Sequence, residues 1–441
     1  MSGHSRLKKT CLVAGEPLES RAMLAASPAP IVALAQDTGG SATDKITRVG
    51  TLAVTAAPGA QVEYSINAGK TWSGWFVAKE GANVLQVRQT IPGSGVSAPT
   101  PFSFTLDTRA PARPLLSLLA DTGASPVDRI TRNGTLTCVN PATSRNSLEP
   151  GAAVAYAMLQ PDGTTWSAWS PSYAPTEGLN TFKVRQVDLA GNESPESMPL
   201  TFTRLQVPPV ITAVAGPAKR TYTAGAALTF WVAFSRPVVV SPLTGATPAL
   251  DITIGGVPRK AAYAGGSGTR TLAFSAKVPA GDQGDVAASG TITLPTTGSL
   301  PASIRDLAGN AALTSFTPPD LAGVVVDARV PVVTSFRFDM PTKTATLVFS
   351  RPVAGVSIGD FRIQGTVSGT TFNLPLTDSQ ITERIGTVSV AGGGTTWRLT
   401  VDRLPTGSGS FMLVLVAAGS GIVDTEVGNP LLTSIGTSLT V

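Results

Sequence analysis

An internal repeat constrains this chain more than any other feature. The run DTGGSATDKITRVGTL, which begins at Asp37, returns 84 residues later as DTGASPVDRITRNGTL, which begins at Asp121. At the matching VRQ runs, Val87 and Val184, the offset has grown to 97 residues. It grows only at points rich in glycine, proline, serine and asparagine, as expected where insertions fall in loops between strands of constant length. The repeat therefore predicts two copies of one folded unit in the N-terminal half.

Side chains within each copy alternate as they do in short β-strands. Val62, Tyr64 and Ile66 share one face. In the second half, LTFWVAFSRPVV from Leu228 and ATLVFSRPVA from Ala345 share Phe-Ser-Arg-Pro-Val at an offset of 115 residues. In the first of these runs every second residue from Leu228 to Phe234 is a large apolar one, which predicts a strand with that face buried. With 45 glycines and 35 prolines among 441 residues, turn formers interrupt the chain throughout. Short alternating strands with frequent turns predict an all-β chain of sandwich domains.

These frames resemble the bacterial immunoglobulin-like repeats of large surface proteins and adhesins. The first pair resembles repeats with an opening Asp-Thr-Gly-x-Ser-x-x-Asp-x-Ile-Thr, a tryptophan hairpin and a closing Asp-x-Ala-Gly-Asn. The closing motif is present in the second copy as Asp188 to Asn192, whereas the first copy has Ile91 and Gly95 at those two positions. The second pair resembles related repeats built around Phe-Ser-Glu-Pro-Val, with Arg236 and Arg351 in place of the usual Glu. The resemblance implies tandem immunoglobulin-like β-sandwich domains in an extended array, with a structural or adhesive role at the cell surface.

The N-terminal segment carries a second resemblance. Glu16 to Ala26, EPLESRAMLAA, is similar to the planctomycete segment whose core reads Leu-Glu-Pro-Arg-x-Leu-Leu and which precedes secreted or surface proteins. Ser20 stands where that family has Pro, and Met23 where it has Leu. The resemblance implies export, and hence a secreted or cell-surface location. A short amphipathic helix that caps the first domain is the alternative.

The chain is thereby divided into five parts. Residues 1–28 are predicted to be an N-terminal targeting or sorting segment. Four immunoglobulin-like domains follow, named here repeat 1 (residues 29–109), repeat 2 (110–208), repeat 3 (209–328) and repeat 4 (329–441). Proline-rich linkers between them would limit bending and keep the array extended.

Composition excludes several classes of function. The single histidine, His4, lies near the start, so the body of the chain has no histidine for a catalytic triad, a zinc site or a haem. We therefore predict that the protein is not an enzyme. A net charge of +5 without a basic patch beside aromatic residues argues against nucleic acid as a partner. The apolar run from Phe411 to Ala418 is too short for a membrane helix. Cys11 and Cys138 are predicted to be free thiols, the latter in a strand core.

Two acidic loops are candidate calcium sites. Asp188 with Asn192, and Asp306 with Asn310, repeat the sequence Asp-Leu-Ala-Gly-Asn. Calcium takes six to eight oxygen ligands, which aspartate, asparagine and backbone carbonyls in loops can supply. The alternative is an Asx-turn, in which the aspartate side chain accepts hydrogen bonds from its own loop.

The function that these features favour is a non-enzymatic extracellular or cell-surface rod of immunoglobulin-like repeats. Its expected partners are extracellular matrix, the cell surface, or other surface proteins and glycans. The alternative is a polysaccharide-binding array that uses the hairpin tryptophans Trp72, Trp75, Trp166 and Trp169, whose rings could stack on sugars. The packing interpretation of the hairpin instead places Trp72 and Trp75 against the sheet.

Overall fold

A computed structural model describes residues 27–140, 145–242, 246–296, 301–367, 369–377, 388–403 and 409–439. The Glu16 to Ala26 segment and Cys11 lie outside these residues, so the predicted targeting segment stays a prediction. The described part contains strands and one 3-10 turn, with no α-helix. None of its helical segments has the length and apolar character needed to cross a membrane.

The chain divides into two compact units. The first unit comprises Met1–Leu119 with Thr135–Phe202, and the second comprises Ala120–Gly134 with Thr203–Val441. The four predicted domain boundaries stay a prediction, and the repeat names serve below only as labels for residue ranges.

Repeat 1 forms a sandwich in the first unit. Val32 and Leu52 from a two-stranded sheet, β1-β3, pack against Leu85 and Phe104 from the sheet β2-β7-β5-β4, which also carries β6. Two sheets therefore face one core, because each strand turns alternate side chains inward. The strands are β1 (Ile31–Leu34), β2 (Ile46–Thr47), β3 (Leu52–Thr55), β4 (Gln61–Ser65), β5 (Gly81–Ile91), β6 (Gly95–Val96) and β7 (Thr100–Leu106).

Repeat 2 has the same plan. Its core packs Leu118 and Leu136 against Phe182 and Phe202. Cys138 is buried and free as predicted, but it lies between the strands Leu136–Thr137 and Val139–Asn140 and not within a strand. Burial raises the pKa of its thiol. The strands are β8 (Ser117–Leu118), β9 (Ile130–Thr131), β10 (Leu136–Thr137), β11 (Val139–Asn140), β12 (Arg145–Asn146), β13 (Ala153–Met158), β14 (Gly178–Val187) and β15 (Leu200–Arg204). They pair as β8-β10, β11-β12 and β13-β14-β15-β9.

Repeat 3 belongs to the second unit, and its strands form one continuous hydrogen-bonded network. The long β18 pairs with β16 and β21 and, near its end, with β23. Leu228, Phe230, Val232 and Phe234 of β18 are buried, which confirms the predicted alternation. The strands are β16 (Ile211–Ala215), β17 (Thr221–Tyr222), β18 (Ala227–Ser241), β19 (Ala249–Ile254), β20 (Val257–Gly265), β21 (Thr269–Lys277), β22 (Gln283–Thr293), β23 (Ser303–Asp306) and β24 (Val325–Asp327).

Repeat 4 is a sandwich of two four-stranded sheets, β25-β26-β31-β30 and β29-β28-β32-β34, with a separate pair β27-β33. Leu347 and Phe349 of one sheet share a core with Phe361 and Leu415 of the other. Its elements are β25 (Val333–Asp339), β26 (Thr344–Phe349), β27 (Val353–Ala354), the 3-10 turn Ile358–Asp360, β28 (Phe361–Val367), β29 (Thr370–Pro375), β30 (Val388–Gly393), β31 (Thr396–Val401), β32 (Gly409–Leu415), β33 (Val423–Asp424) and β34 (Ile435–Leu439). The predicted fold class, an all-β chain of β-sandwich repeats, is confirmed for the described residues.

Candidate functional site: the junction clips

The loop that follows β14 closes on its own aspartate. The Asn192 backbone N–H donates to Asp188 Oδ1 at 2.8 Å, and Asn192 Nδ2 donates to Asp188 Oδ2 at 2.9 Å. The Asp188 N–H returns a bond to the Asn192 carbonyl at 3.1 Å. Asp188 is 5% exposed and Asn192 8% exposed. Both carboxylate oxygens therefore accept hydrogen bonds within the loop, which is the geometry of the Asx-turn alternative.

The same loop also holds repeat 1. Asn192 Nδ2 donates a second hydrogen bond to the Asp107 carbonyl, 2.8 Å away, directly after β7. Thr38 Oγ1 donates to the Ala190 carbonyl at 2.6 Å, and Arg48 Nη1 donates to the Gly191 carbonyl at 2.8 Å. These contacts join the start and the end of repeat 1 to one loop of repeat 2. We call this arrangement clip 1.

Clip 1 requires glycine on both sides. A Cβ atom on Gly39 would lie 2.0 Å from the Leu189 carbonyl oxygen, and one on Gly191 would lie 2.9 Å from the Gly39 nitrogen. Both glycines also have positive φ, +102° and +89°. The two backbones therefore approach more closely than any other residue would allow.

Clip 2 repeats the asparagine and threonine contacts of clip 1 within the second unit. Asn310 donates from its N–H to Asp306 Oδ1 and from Nδ2 to Asp306 Oδ2, both at 2.9 Å. Asn310 Nδ2 also donates to the Leu205 carbonyl at 2.6 Å, and Thr122 Oγ1 donates to the Ala308 carbonyl at 2.9 Å. A Cβ on Gly123 would lie 2.0 Å from the carbonyl oxygen of Leu307, as on Gly39 in clip 1.

Clip 3 keeps the asparagine and changes its surroundings. Asn429 Nδ2 donates to the Asp327 carbonyl, at the end of β24, and Asn429 Oδ1 accepts from the Ala224 N–H, both at 2.8 Å. The Asn429 N–H donates to Asp424 Oδ2 at 2.7 Å. Asn429 is fully buried. The asparagine thus again ties its own loop to the last strand of the preceding repeat.

Charged side chains surround clip 3. Arg351 lies 3.5 Å from Asp327 and 3.9 Å from Asp424, and it hydrogen-bonds Glu426. Arg329 pairs with Asp327 at 2.6 Å, and this hydrogen bond holds the pKa of Asp327 well below its ordinary range. Burial alone would raise the pKa of Asp424, but backbone N–H donors and the charge of Arg351 lower it overall.

The predicted calcium residues come together in two separate pairs. Asp188 lies with Asn192 and Asp306 with Asn310, but the described residues contain no cluster of three or more acidic, histidine or cysteine side chains suited to a metal. Among the described residues, two carboxylate oxygens are buried without a hydrogen-bond partner, Asp37 Oδ1 and Asp121 Oδ1. Both belong to the opening Asp-Thr-Gly frames. The calcium hypothesis stays a prediction.

Sequence reasoning found the Asp-Asn loops but assigned no role to the threonine and the glycine of the opening frame. Thr38 and Gly39, with their counterparts Thr122 and Gly123, are the residues that it missed. Their signal was the Asp-Thr-Gly at the head of both frames, where Gly supplies the close approach and Thr the donor. The similar runs Asp-Thr-Arg-Ala-Pro from Asp107 and Asp-Ala-Arg-Val-Pro from Asp327 contain the carbonyl groups that Asn192 and Asn429 bind in clips 1 and 3.

The hairpin tryptophans divide into covered and open rings. The Arg88 guanidinium lies 4.0 Å from the centre of the Trp72 ring. In repeat 2, Lys183 lies 4.4 Å from the centre of the Trp166 ring, and Arg185 lies 4.6 Å from that of Trp169. Cation–π contacts therefore occupy a face of each of these three rings.

Trp75 differs from the other three. It is 72% exposed, so the prediction that it packs against the sheet is wrong. The hairpin itself forms as predicted, since Tyr64 pairs with Ser73 across it and the Asn67 side chain accepts from the Thr71 N–H. Trp75 lies beyond that paired segment, which explains why the sheet does not cover it.

Comparisons with known proteins gave solved structures only. No family model matches the chain, and no curated protein matches it. The S-layer protein rSbsC is 16% identical with a TM-score of 0.20, and the match covers 94% of this chain and 53% of that one. The chain thus spans about half the length of that S-layer structure. A tetra-tandem repeat from the extending region of a large adhesion protein is 13% identical with a TM-score of 0.24, covering 93% of this chain and 99% of that one.

Proposed function

We propose that the protein is a non-enzymatic structural and adhesive element of the cell surface or the extracellular space. The observation that carries the proposal is the recurrence of one clip at three places. In each clip an asparagine amide binds the carbonyl that ends the preceding repeat, at Asp107, Leu205 or Asp327. Asn192 and Asn429 are buried, so polar side chains are taken out of water to make these contacts within each compact unit.

The energetics support a joint of defined geometry. A buried hydrogen bond contributes about 1 kcal/mol, and leaving a buried partner unsatisfied costs about 1–3 kcal/mol. Opening clip 1 would break the bonds that Asn192, Thr38 and Arg48 make across it. Such a joint resists bending more than a proline-containing linker does alone. The extended arrangement of the whole array remains part of the proposal.

A pair of spin labels on the full chain tests the joint. With labels at the exposed positions Lys70 and Thr164, which lie in repeats 1 and 2, we expect one narrow distance distribution by electron–electron double resonance. Asn192→Ala should broaden it, because the amide that binds the Asp107 carbonyl is lost. The matched control is Asn146→Ala, an exposed asparagine in repeat 2. A broad distribution in the unaltered chain would refute the joint.

Surface location needs a separate experiment. We expect an impermeant amine reagent to label the lysines of the protein on intact cells, and we expect fractionation to recover it with the surface or the medium. Recovery of the full chain only from the cytoplasm, with no labelling, would refute the surface role and leave the clips unaffected.

A further inference from the structure

A groove opens beside the exposed tryptophan of repeat 1. Its volume is about 530 Å³, within the range of small-ligand sites. Thr51 and Leu52 of the β3 edge form one wall, and Tyr64, Trp75 and Phe76 form the other. The described residues that line it are all uncharged. The groove therefore suits a neutral ligand that carries both polar and apolar surface.

A backbone donor faces this groove. The Ala35 N–H donates to the Thr51 carbonyl at 2.9 Å, so the peptide groups of Thr51 face β1. Successive residues of a strand point their N–H groups to opposite sides. The Leu52 N–H is therefore directed away from β1, toward the groove.

Repeat 2 fills the corresponding place with its own side chain. The Leu119 N–H donates to the Thr135 carbonyl at 2.8 Å, which matches Ala35 and Thr51. The next amide, of Leu136, donates to the Tyr173 hydroxyl at 2.6 Å. The Tyr173 ring lies 4.5 Å from the ring of Tyr156. An aromatic ring and a hydroxyl group thus complete this edge from within the chain.

Repeat 1 lacks that hydroxyl. Phe76 corresponds to Tyr173 at the offset of 97 residues, and its ring lies 6.1 Å from Tyr64. At the same offset Trp75 corresponds to Ser172, so repeat 2 has no indole at this place, and Trp169 corresponds to Trp72. Among the described residues, Trp75 has no cation over its ring. Repeat 1 therefore offers an open indole face and a backbone donor, whereas repeat 2 has a serine at the first place and a paired amide at the second.

We propose that this groove binds a pyranose unit of a neutral polysaccharide. The C–H face of the sugar stacks on Trp75, and a sugar hydroxyl accepts from the Leu52 N–H as the Tyr173 hydroxyl accepts from Leu136. The uncharged lining favours a neutral sugar over a uronic acid. This binding site goes beyond the structural role and does not depend on the junction clips.

Affinity electrophoresis of the full chain tests the proposal. The gels would contain a β-1,3-glucan, hydroxyethyl cellulose, a galactomannan or a xylan, with alginate as the anionic comparison. We expect at least one neutral polysaccharide to retard the chain and alginate not to. Trp75→Ala should weaken retardation at least tenfold, whereas Trp169→Ala, at an indole that Arg185 already covers, should change it less than twofold. Phe76→Tyr, which supplies a hydroxyl to the Leu52 N–H, should weaken it about threefold or more.

Three outcomes would overturn the site. The first is no retardation by any neutral polysaccharide. The second is an equal loss in Trp75→Ala and Trp169→Ala. The third is a concentration-dependent dimer that Trp75→Ala abolishes, which would make the β3 edge a docking strand for a second copy. Asn192→Ala should leave retardation unchanged, so failure of the clips and failure of the groove are distinguishable.

Discussion

Clip 1 and clip 3 share an asparagine that binds the carbonyl at the end of the preceding repeat, but the contacts around that asparagine differ. In clip 1 the backbones of Gly39 and Leu189 lie so close that a Cβ atom on the glycine would fall 2.0 Å from a carbonyl oxygen. In clip 3 the surrounding contacts are made by charged side chains, with Arg351 between Asp327 and Asp424. The asparagine is common to both clips.

This difference separates what the joint requires from what can vary. The required part is an asparagine amide that reaches the carbonyl at the end of the preceding repeat. The variable part sets the sensitivity to conditions, because close backbone packing responds to volume, whereas ion pairs respond to pH and salt. The predictions below change one of these terms at a time.

The largest effect is expected at the glycine contact. Gly39→Ala should lower the free energy of unfolding of the first unit by about 3 kcal/mol, because the new methyl group meets the Leu189 carbonyl and the backbone has positive φ. Thermal and denaturant unfolding would measure it. The control is Gly40→Ala, where a Cβ meets nothing within 4 Å and little change is expected. Equal effects of the two substitutions would show that the contact is not tight.

The shared asparagine should come next. Asn192→Ala and Asn429→Ala should each lower the free energy of unfolding by about 2 kcal/mol, since each removes buried side-chain hydrogen bonds and leaves a partner unsatisfied. Asn146→Ala, at an exposed site, should change it by less than about 0.5 kcal/mol. A loss at one clip alone would contradict the view that the asparagine is the common element.

Acid should weaken clip 3 selectively. The pKa values of Asp327 and Asp424 lie below their ordinary 3.8 in the folded chain, so the unfolded state takes up protons first as pH falls. The stabilisation is therefore full above pH 3.8 and is lost progressively below it. Melting curves of the unaltered chain and of Arg351→Met should diverge at neutral pH and converge in acid. A constant difference between them across this range would exclude the ion pairs as its source.

The smallest expected difference concerns calcium. Because both oxygens of Asp188 already accept hydrogen bonds from Asn192, we expect Asp188→Ala to lower the melting temperature equally in calcium and in chelator. Asp306→Ala should behave alike. If Asp188→Ala lowered the melting temperature only in calcium, that result would instead establish that the ion binds at these loops. Bound calcium would then raise the stability of the unaltered chain by mass action.

Local sequence patterns predicted the strands and the loops, but they did not predict which loops contact each other. The alternation from Leu228 to Phe234 fixed which side chains are buried, since that depends only on residues two apart in one strand. The recurrence of Asp-Leu-Ala-Gly-Asn likewise predicted a repeated turn. Thr38 and Ala190 are 152 residues apart, and nothing in either local sequence indicates that they touch.

The tryptophans illustrate the same limit. Sequence spacing placed Trp75 and Trp169 at equivalent positions, but the cross-strand bridges of the two hairpins align Trp169 with Trp72 instead. Each of these two rings lies under an arginine of the next strand, Arg185 or Arg88. Whether an indole is covered depends on cross-strand neighbours and on one-residue differences such as Phe76 for Tyr173. Sequence comparison aligned these residues without showing their consequence.

The sequence separation within each clip has a consequence for the order of assembly. The partners Thr38 and Ala190 are 152 residues apart, Thr122 and Ala308 186, and Ala224 and Asn429 205. A chain emerging from a ribosome or an export channel with its N-terminus first can complete a sandwich long before the loop that locks it arrives. Each clip must then close late, after almost all of the following repeat has been delivered, so the clips of a nascent chain form one after another.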